Sequence, residues 1–283
     1  MKISCVFLTN TVNDDIHTMT QEAVNSLKET CSAEFELSIV VVESNQNSEY
    51  FYEGVTKLLC PQSPFNFNKF LNLAIKVIDA DWYLLCNNDV LFNKGWMENL
   101  FGLVRANPSI HSWSPSCESC NSQNYLKDKY PNKSLLMGYT PRQALSGWCI
   151  LVNSAAMKKI YPLDERFDFY FADNDYAMTL RAHSIKHALA FDSHVTHLEH
   201  KKVSKKVTLA SHNLSRDKLP WYLRSKQHTW LFENPKMIDG YTVFSQKWGL
   251  WYILKLKCLI NDFLFLKLNI DVFSKIFFRP KAN

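Results

Sequence analysis

Apolar and polar positions alternate along this chain in blocks that predict a succession of strands and helices. Ile3 to Leu8 is an apolar run of strand length that stops at Thr9 and Asn10. Thr18 to Cys31 then places Ala23, Val24, Leu27 and Cys31 at helical spacing, and Leu37 to Val42 is a second apolar run, ending at Glu43, Ser44 and Asn45. Phe67 to Ile78 carries Phe67, Phe70, Leu71, Ala74, Ile75 and Ile78 as one stripe, which predicts another amphipathic helix. Trp82 to Cys86 is the third strand, and it gives way abruptly to Asn87, Asn88 and Asp89. After a turn containing Gly95, helical spacing returns with Trp96, Met97, Leu100, Phe101 and Val104.

Strands alternating with helices imply right-handed βαβ units and a mainly parallel sheet, so the predicted fold class is α/β with helices flanking the sheet. The three polar strand ends would line one crevice, where ligands gather in such folds. The stretch from Pro108 to Pro141 is rich in Ser, Asn and Pro and has little periodicity, and it reads as a long excursion beside the site that helps to hold an acceptor. Ser146 to Val152 is another strand, followed by a short helix near Ala155 to Ile160 and a helix that begins within Tyr170 to Arg181. His187 to Phe191 is a last short strand, closed by the polar cluster Asp192 to His200.

Charge divides the chain. Residues 1–199 hold 16 Lys and Arg against 22 Asp and Glu, whereas residues 200–283 hold 16 against 5, within an overall net charge of +5. The acidic part reads as a globular body, residues 1–205, and the basic part as a surface-seeking helical extension, residues 206–283. In that extension Phe263, Leu266, Ile270, Phe273 and Phe277 repeat at helical spacing, with Lys267, Asp271, Lys275 and Arg279 opposite. This aromatic, cationic segment suits the headgroup zone of an anionic membrane, or else a face packed on the body or on a second copy. Hydrophobic repeats between the charges argue against nucleic acid.

No apolar stretch reaches the roughly 18 residues that a membrane-crossing helix needs. The strand pattern begins at Ile3 without a charged leader, which predicts no signal peptide, reduced thiols among the 8 cysteines, and a cytoplasmic location, peripheral at the inner face of a membrane if the tail binds lipid. Cys117 and Cys120 have no second pair with matching spacing, and the histidines between His183 and His200 suit no closed zinc site.

Candidate chemistry lies at two places. Asn87, Asn88 and Asp89 either cap a turn or present a carboxylate to a ligand at a strand mouth. Asp173 and Asp175 stand where a helix begins, either as an N-cap and a first-turn acid or as a rigidly held base with its partner.

Four blocks carry a family resemblance: the opening strand with Thr9 and Asn10, residues 64–76 (PFNFNKFLNLAIK), residues 85–100 (LCNNDVLFNKGWMENL), and residues 147–200, from GWCILVN to HLEH. From Ile3 to about His200 the chain resembles the inverting nucleotide-sugar glycosyltransferases of family 2, which have the GT-A fold. It is most similar to the branch with rhamnosyltransferase-like and O-antigen or capsule enzymes. The resemblance implies a divalent cation, Mn²⁺ or Mg²⁺, held by Asp89, which matches the last acid of the family's DXD motif, with Asn87 in place of the first. His197 matches the histidine that completes that metal site, with His200 as the fallback.

Asp173 matches the catalytic base, with Ala172 where the family usually has Glu, and Asp175 is the second acid, which orients the first or touches the acceptor. Donor contacts fall to Thr9, Asn10, Glu43, Asn45, Asn72, Asn87 and Asn88, with Asn66 alongside. Gly147 and Trp148 face the acceptor, Trp148 either stacking on a pyranose or packing in the core. The implied donor is a UDP, dTDP or GDP sugar, and the implied acceptor is a hydroxyl of a glycan or lipid-linked glycan in surface polysaccharide synthesis. The alternative is a non-catalytic GT-A module that binds a nucleotide sugar or glycan, because Asn87 and Ala172 each remove an acid from the family pattern.

Overall fold

The apolar runs at the front of the chain pair side by side. In the computed structural model, which describes residues 1–198 and 235–278, β1 (Lys2–Thr9), β2 (Glu36–Glu43), β3 (Lys57–Leu59) and β4 (Trp82–Asn87) run parallel in the order β3-β2-β1-β4. Thr9 lies opposite Glu43 and Leu8 opposite Asn87, so the polar strand ends gather at one edge. The sheet continues through β5 (Val90–Phe92), β6 (Ile110–Cys117), β7 (Leu135–Met137), β8 (Cys149–Asn153) and β9 (Lys186–His197), in the order β4-β8-β6-β9-β5, with β7 also on β9. β6 and β9 are parallel, whereas β8 runs against both β4 and β6, and β5 and β7 run against β9. The sheet is therefore mixed, and parallel through most of its paired length.

The body's helices are α1 (Asp14–Glu29), α2 (Phe67–Val77), α3 (Trp96–Ala106), α4 (Asn121–Lys129), α5 (Ser154–Ile160) and α6 (Ala172–Ala182). Three begin on an asparagine cap: Asn13 accepts from the Ile16 N–H, Asn66 from Lys69 and Asn153 from Ala156. Asn13, with Asp14 and Asp15 in the first turn, starts α1 ahead of its apolar stripe. Alternate residues of β1 serve opposite faces. Ile3, Cys5 and Phe7 pack with α1 and α3, while Val6 and Leu8 pack with α2, α5 and α6.

Two sequence expectations are corrected here. Pro108–Pro141 is not a loose excursion, since it contains β6, α4 and β7. β6 looks polar because Ser112, Ser114 and Ser116 are buried and bonded. Ser112 Oγ meets Tyr176 Oη at 2.9 Å, Ser114 Oγ accepts from the Ser146 N–H, and Ser116 Oγ donates to the Phe191 carbonyl. The last strand also runs on through Asp192 to His197, past a bulge that shifts its register on β6 between Pro115 and Ser116.

Beyond the body come α7 (Pro235–Trp248), α8 (Trp251–Asp262), a π-helical turn at Phe263–Lys267, and α9 (Val272–Phe277). The predicted single amphipathic stripe over Phe263–Phe277 does not form, because the helix breaks near Asn269, whose φ is +57°. Phe263, Ile270 and Phe273 are exposed, and Phe265 and Phe278 are buried in their place. α7 joins the body through Ile238, Tyr241, Phe244 and Trp248, which cluster with Phe167, Phe171 and Met178. His200 and the proposed boundary between residues 205 and 206 lie outside the described residues.

Candidate functional site

A cavity of about 780 Å³ opens beside the end of β4, and Asn87, Asp89, Arg142, Gly147, Trp148, Asp173 and His197 are among its lining residues. Aromatic residues Phe67, Phe169, Tyr170 and Phe171 form another part of the wall. Metal, base and acceptor candidates from three separate parts of the sequence therefore share one space.

The turn after β4 leads straight into β5, whose Val90 pairs with His197 on β9, and this register brings Asp89 beside His197. Asp89 Oδ1 and His197 Nε2 are 3.2 Å apart, both buried, and neither makes a hydrogen bond of acceptable geometry to any described residue. The imidazole stacks on the Trp148 indole, with ring centroids 4.9 Å apart and planes 7° from parallel. A carboxylate oxygen and an imidazole nitrogen without other partners form a donor pair that fits a divalent cation. Among the described residues no third His, Cys, Asp or Glu joins them, so the remaining coordination would fall to water or to a ligand's oxygens.

Asp173 sits in the first turn of α6, two residues past the cap: Phe171, not Asp173, takes the N-cap position, with φ +66°. For a bulky residue this left-handed backbone is an outlier. Packing from α7 holds it, with Tyr241 and Phe244 rings 5.5 and 5.7 Å from the Phe171 ring. A Cβ on Gly240 would come 2.6 Å from the Tyr170 carbonyl oxygen, so α7 reaches this strained entry only through a glycine. Asp173 Oδ1 accepts from the Asn174 N–H at 2.8 Å. Burial raises the Asp173 pKa from the ordinary carboxylate value, against the opposing pull of that N–H and of Arg142. Gly147 is the counterpart on the other wall, because a Cβ there would fall 2.8 Å from Asp173 Cβ.

Asp175 faces elsewhere. It is buried, does not line the cavity, and meets Lys247 Nζ at 2.8 Å and Trp248 Nε1 at 2.7 Å, both at the end of α7. The same ammonium reaches Asp164 at 2.9 Å, and Arg166 meets Asp164 at 2.7 Å. Burial works against the Asp164 carboxylate, yet Arg166 and Lys247 hold its pKa well below the usual range. Asp175 thus fastens α7 to the first turn of α6, on the side of the helix turned away from Asp173.

Of the expected donor contacts, only Asn87 lines the cavity. Thr9, Glu43 and Asn88 are joined beneath the strand ends. The Asn88 amide donates to Thr9 Oγ1 and Thr20 Oγ1 at 3.1 and 2.9 Å, Thr9 meets Thr11 at 3.0 Å, Thr11 meets the Tyr52 hydroxyl, and Tyr52 donates to Glu43 Oε2 at 3.0 Å. Glu43 Oε1 accepts from the Thr11 and Asn45 N–H groups. Burial, with Glu43 beside it, pushes the Tyr52 hydroxyl up to about 12. The Asn45 amide donates to the Thr11 carbonyl at 2.6 Å, and Asn10 is exposed at the end of β1. Asn72 is buried and clips α2 to Leu163 and Glu165, and Asn66 is the cap of α2.

Among the lining residues not expected from the sequence are Arg142 and Asn68. Arg142, with φ +63°, adds a guanidinium to the cavity from the loop after β7. Asn68 lines it from the first turn of α2, one residue beyond the stripe position Phe67, where a polar interruption was the signal to read.

No protein-family model matches the chain, and no curated protein matches it by sequence. Solved structures do match. GalNAc-T7, in a structure with UDP, GalNAc and Mn²⁺, superposes with a TM-score of 0.55 at 10% identity over 69% of this chain and 43% of that one. Residues 1–349 of S. aureus TarS give 0.53 at 16% identity over 69% and 59%. The mannosyltransferase PcManGT from Pyrobaculum calidifontis, in complex with GDP-Man and Mn²⁺, gives 0.53 at 13% identity over 92% and 74%. The chain spans less than two thirds of the length of the first two. This likeness shows the GT-A fold, a mixed α/β sheet flanked by helices.

Proposed function

We propose that the chain is a metal-dependent inverting glycosyltransferase of family 2. It moves a sugar from a nucleoside diphosphate sugar to a hydroxyl of a glycan or lipid-linked glycan, in the assembly of a surface polysaccharide. The observation that carries the reading is that Asp89, His197 and Asp173 face one cavity at the end of a parallel strand of a GT-A sheet. GalNAc-T7 with UDP and Mn²⁺, and the mannosyltransferase with GDP-Man and Mn²⁺, support a nucleotide-sugar donor and a divalent cation.

In this reading Asp89 and His197 hold the cation, which when bound neutralises the leaving diphosphate. Arg142 adds positive charge to the same wall. Asp173 takes the proton from the acceptor hydroxyl as its oxygen attacks the sugar carbon opposite the departing diphosphate. Its raised pKa makes it a stronger base than a free aspartate. Trp148 is buried in the core with its ring stacked on His197, so the flat apolar faces open to a pyranose are those of Phe169 and Tyr170. Asp175 holds α6 in place and takes no proton from the acceptor.

The test is a thermal-shift panel of UDP, dTDP and GDP sugars with Mn²⁺ or Mg²⁺, followed by transfer assays that read the anomeric configuration of the product. Stabilisation by one nucleotide class that fades with chelator, and transfer with inversion, are expected. No stabilisation by any nucleotide would overturn the reading. Stabilisation without transfer to any acceptor would leave the binding-module alternative.

A further inference from the structure

We infer that the outer face of α8 is a docking surface for an anionic lipid bilayer. α8 has two apolar faces. Leu254, Cys258, Asn261 and Phe265 turn inward, Leu254 and Phe265 being buried, and the helix is tied to α6 by a two-pronged pair in which Arg181 Nη2 and Nε meet Asp262 at 2.7 and 2.8 Å. On the opposite side Ile253, Leu256, Leu259, Ile260 and Phe263 form a continuous exposed stripe, with Leu256 60% and Leu259 62% exposed. Of the twenty-one exposed large apolar side chains among the described residues, twelve fall between Trp251 and Ile276, so the apolar surface is concentrated here.

The charges around the stripe select the partner. At 3.6 residues per turn the stripe occupies a single arc, and Lys255 and Lys257 fall on its two flanks. The helix's acid, Asp262, is paired with Arg181 on the body side. An apolar stripe edged by lysines on both sides lets the chains snorkel toward headgroups while the stripe enters the acyl boundary. Lysine is depleted at protein interfaces relative to the rest of the surface, and here one edges each side of the stripe. No helix among the described residues is long and apolar enough to cross a membrane, so α8 would lie along the surface.

The same attachment links this surface to the cavity. α8 meets α6 at Met178 and Arg181, and Asp173 lies about 12 Å from Arg181 along the α6 axis at 1.5 Å per residue. The inference goes beyond the transferase reading and does not depend on it, because lipid binding is measured without donor or acceptor.

The experiment is co-sedimentation of the full chain with vesicles of phosphatidylcholine alone and of phosphatidylcholine with phosphatidylglycerol. The wild-type chain is expected to pellet with the anionic vesicles only, and less so as salt rises. Lys255→Gln with Lys257→Gln should weaken partition about 25-fold, at roughly fivefold per lysine. Leu256→Gln with Leu259→Gln should abolish it, with circular dichroism and melting unchanged because both side chains are exposed. Wild-type protein that stays in the supernatant with both vesicles, or leucine variants that still pellet, would overturn the inference. So would a dimer in sedimentation velocity that the leucine substitutions dissociate, since a second copy would then cover the face.

Discussion

Asp173 and Asp175 stand two residues apart on one helix and face different compartments: Asp173 lines the cavity, while Asp175 is closed over by Lys247 at 2.8 Å and Trp248 at 2.7 Å. Substitution should separate them. Asp173→Asn is expected to lower transfer by about 10²–10⁴-fold while leaving nucleotide-induced stabilisation intact. Asp175→Asn should keep transfer within the wild-type order of magnitude and lower unfolding stability by about 1–3 kcal/mol. In the wild type, rate should rise with pH along an acidic limb above the free aspartate value of about 3.9, since a base works ionised and burial raises this one. That limb disappears in Asp173→Asn. A pH–rate profile unchanged by the substitution would remove Asp173 from the reaction.

Lys247 bridges two carboxylates, and its removal should be felt in stability. Lys247→Met leaves the buried Asp175 with only the Trp248 N–H, takes one of two cations from Asp164, which keeps Arg166, and is expected to cost about 3–5 kcal/mol at neutral pH. The Asp164 pKa is depressed in the folded protein, so its contribution is present above the unfolded value of about 3.9 and is lost as pH falls through the folded one. Wild-type and variant stabilities should therefore converge on acidification. Urea unfolding across a pH series checks this, and a constant offset at every pH would contradict it.

Gly147→Ala places a methyl group 2.8 Å from Asp173 Cβ. One wall has to move, with an overpacking cost of about 1–3 kcal/mol. Turnover should fall more than donor affinity, because Asp173 is displaced while Asp89 and His197 are not touched. Steady-state kinetics with a calorimetric donor Kd separate the two effects.

Asp89→Asn and His197→Ala test the cation pair. Each should weaken Mn²⁺-dependent stabilisation by UDP or GDP at least about 10-fold, a loss typical of disturbed metal shells. Removing Mn²⁺ with chelator should reproduce the variants' behaviour in the wild type. Equal stabilisation of wild type and variants, with and without metal, would disprove the assignment.

Much of the architecture could be read from the sequence because its signals were periodic. β1, β2 and β4 are apolar runs with polar ends, and the stripes of α2 and α3 match their buried residues. β6 could not be read that way, since its serines satisfy their hydrogen bonds inside the protein. The direction of Asp175 was legible in principle: residues two apart on a helix point about 200° apart, so Asp173 and Asp175 cannot share a face. Two other features could not be found by local pattern. Arg142 reaches the cavity through a left-handed loop residue, and Glu43 is claimed by Tyr52, which belongs to a stretch without periodicity.

The strained entry of α6 also sets an order on how the molecule becomes competent. Synthesis delivers the N-terminal part first, so the strand ends, Asp89 and His197 exist before α7 has emerged. Until Tyr241, Phe244 and Lys247 arrive, nothing from α7 holds Phe171 left-handed or fixes Asp175. The nascent protein can assemble the half proposed to grip a donor before α7 is there to fix the position of Asp173, the proposed proton acceptor.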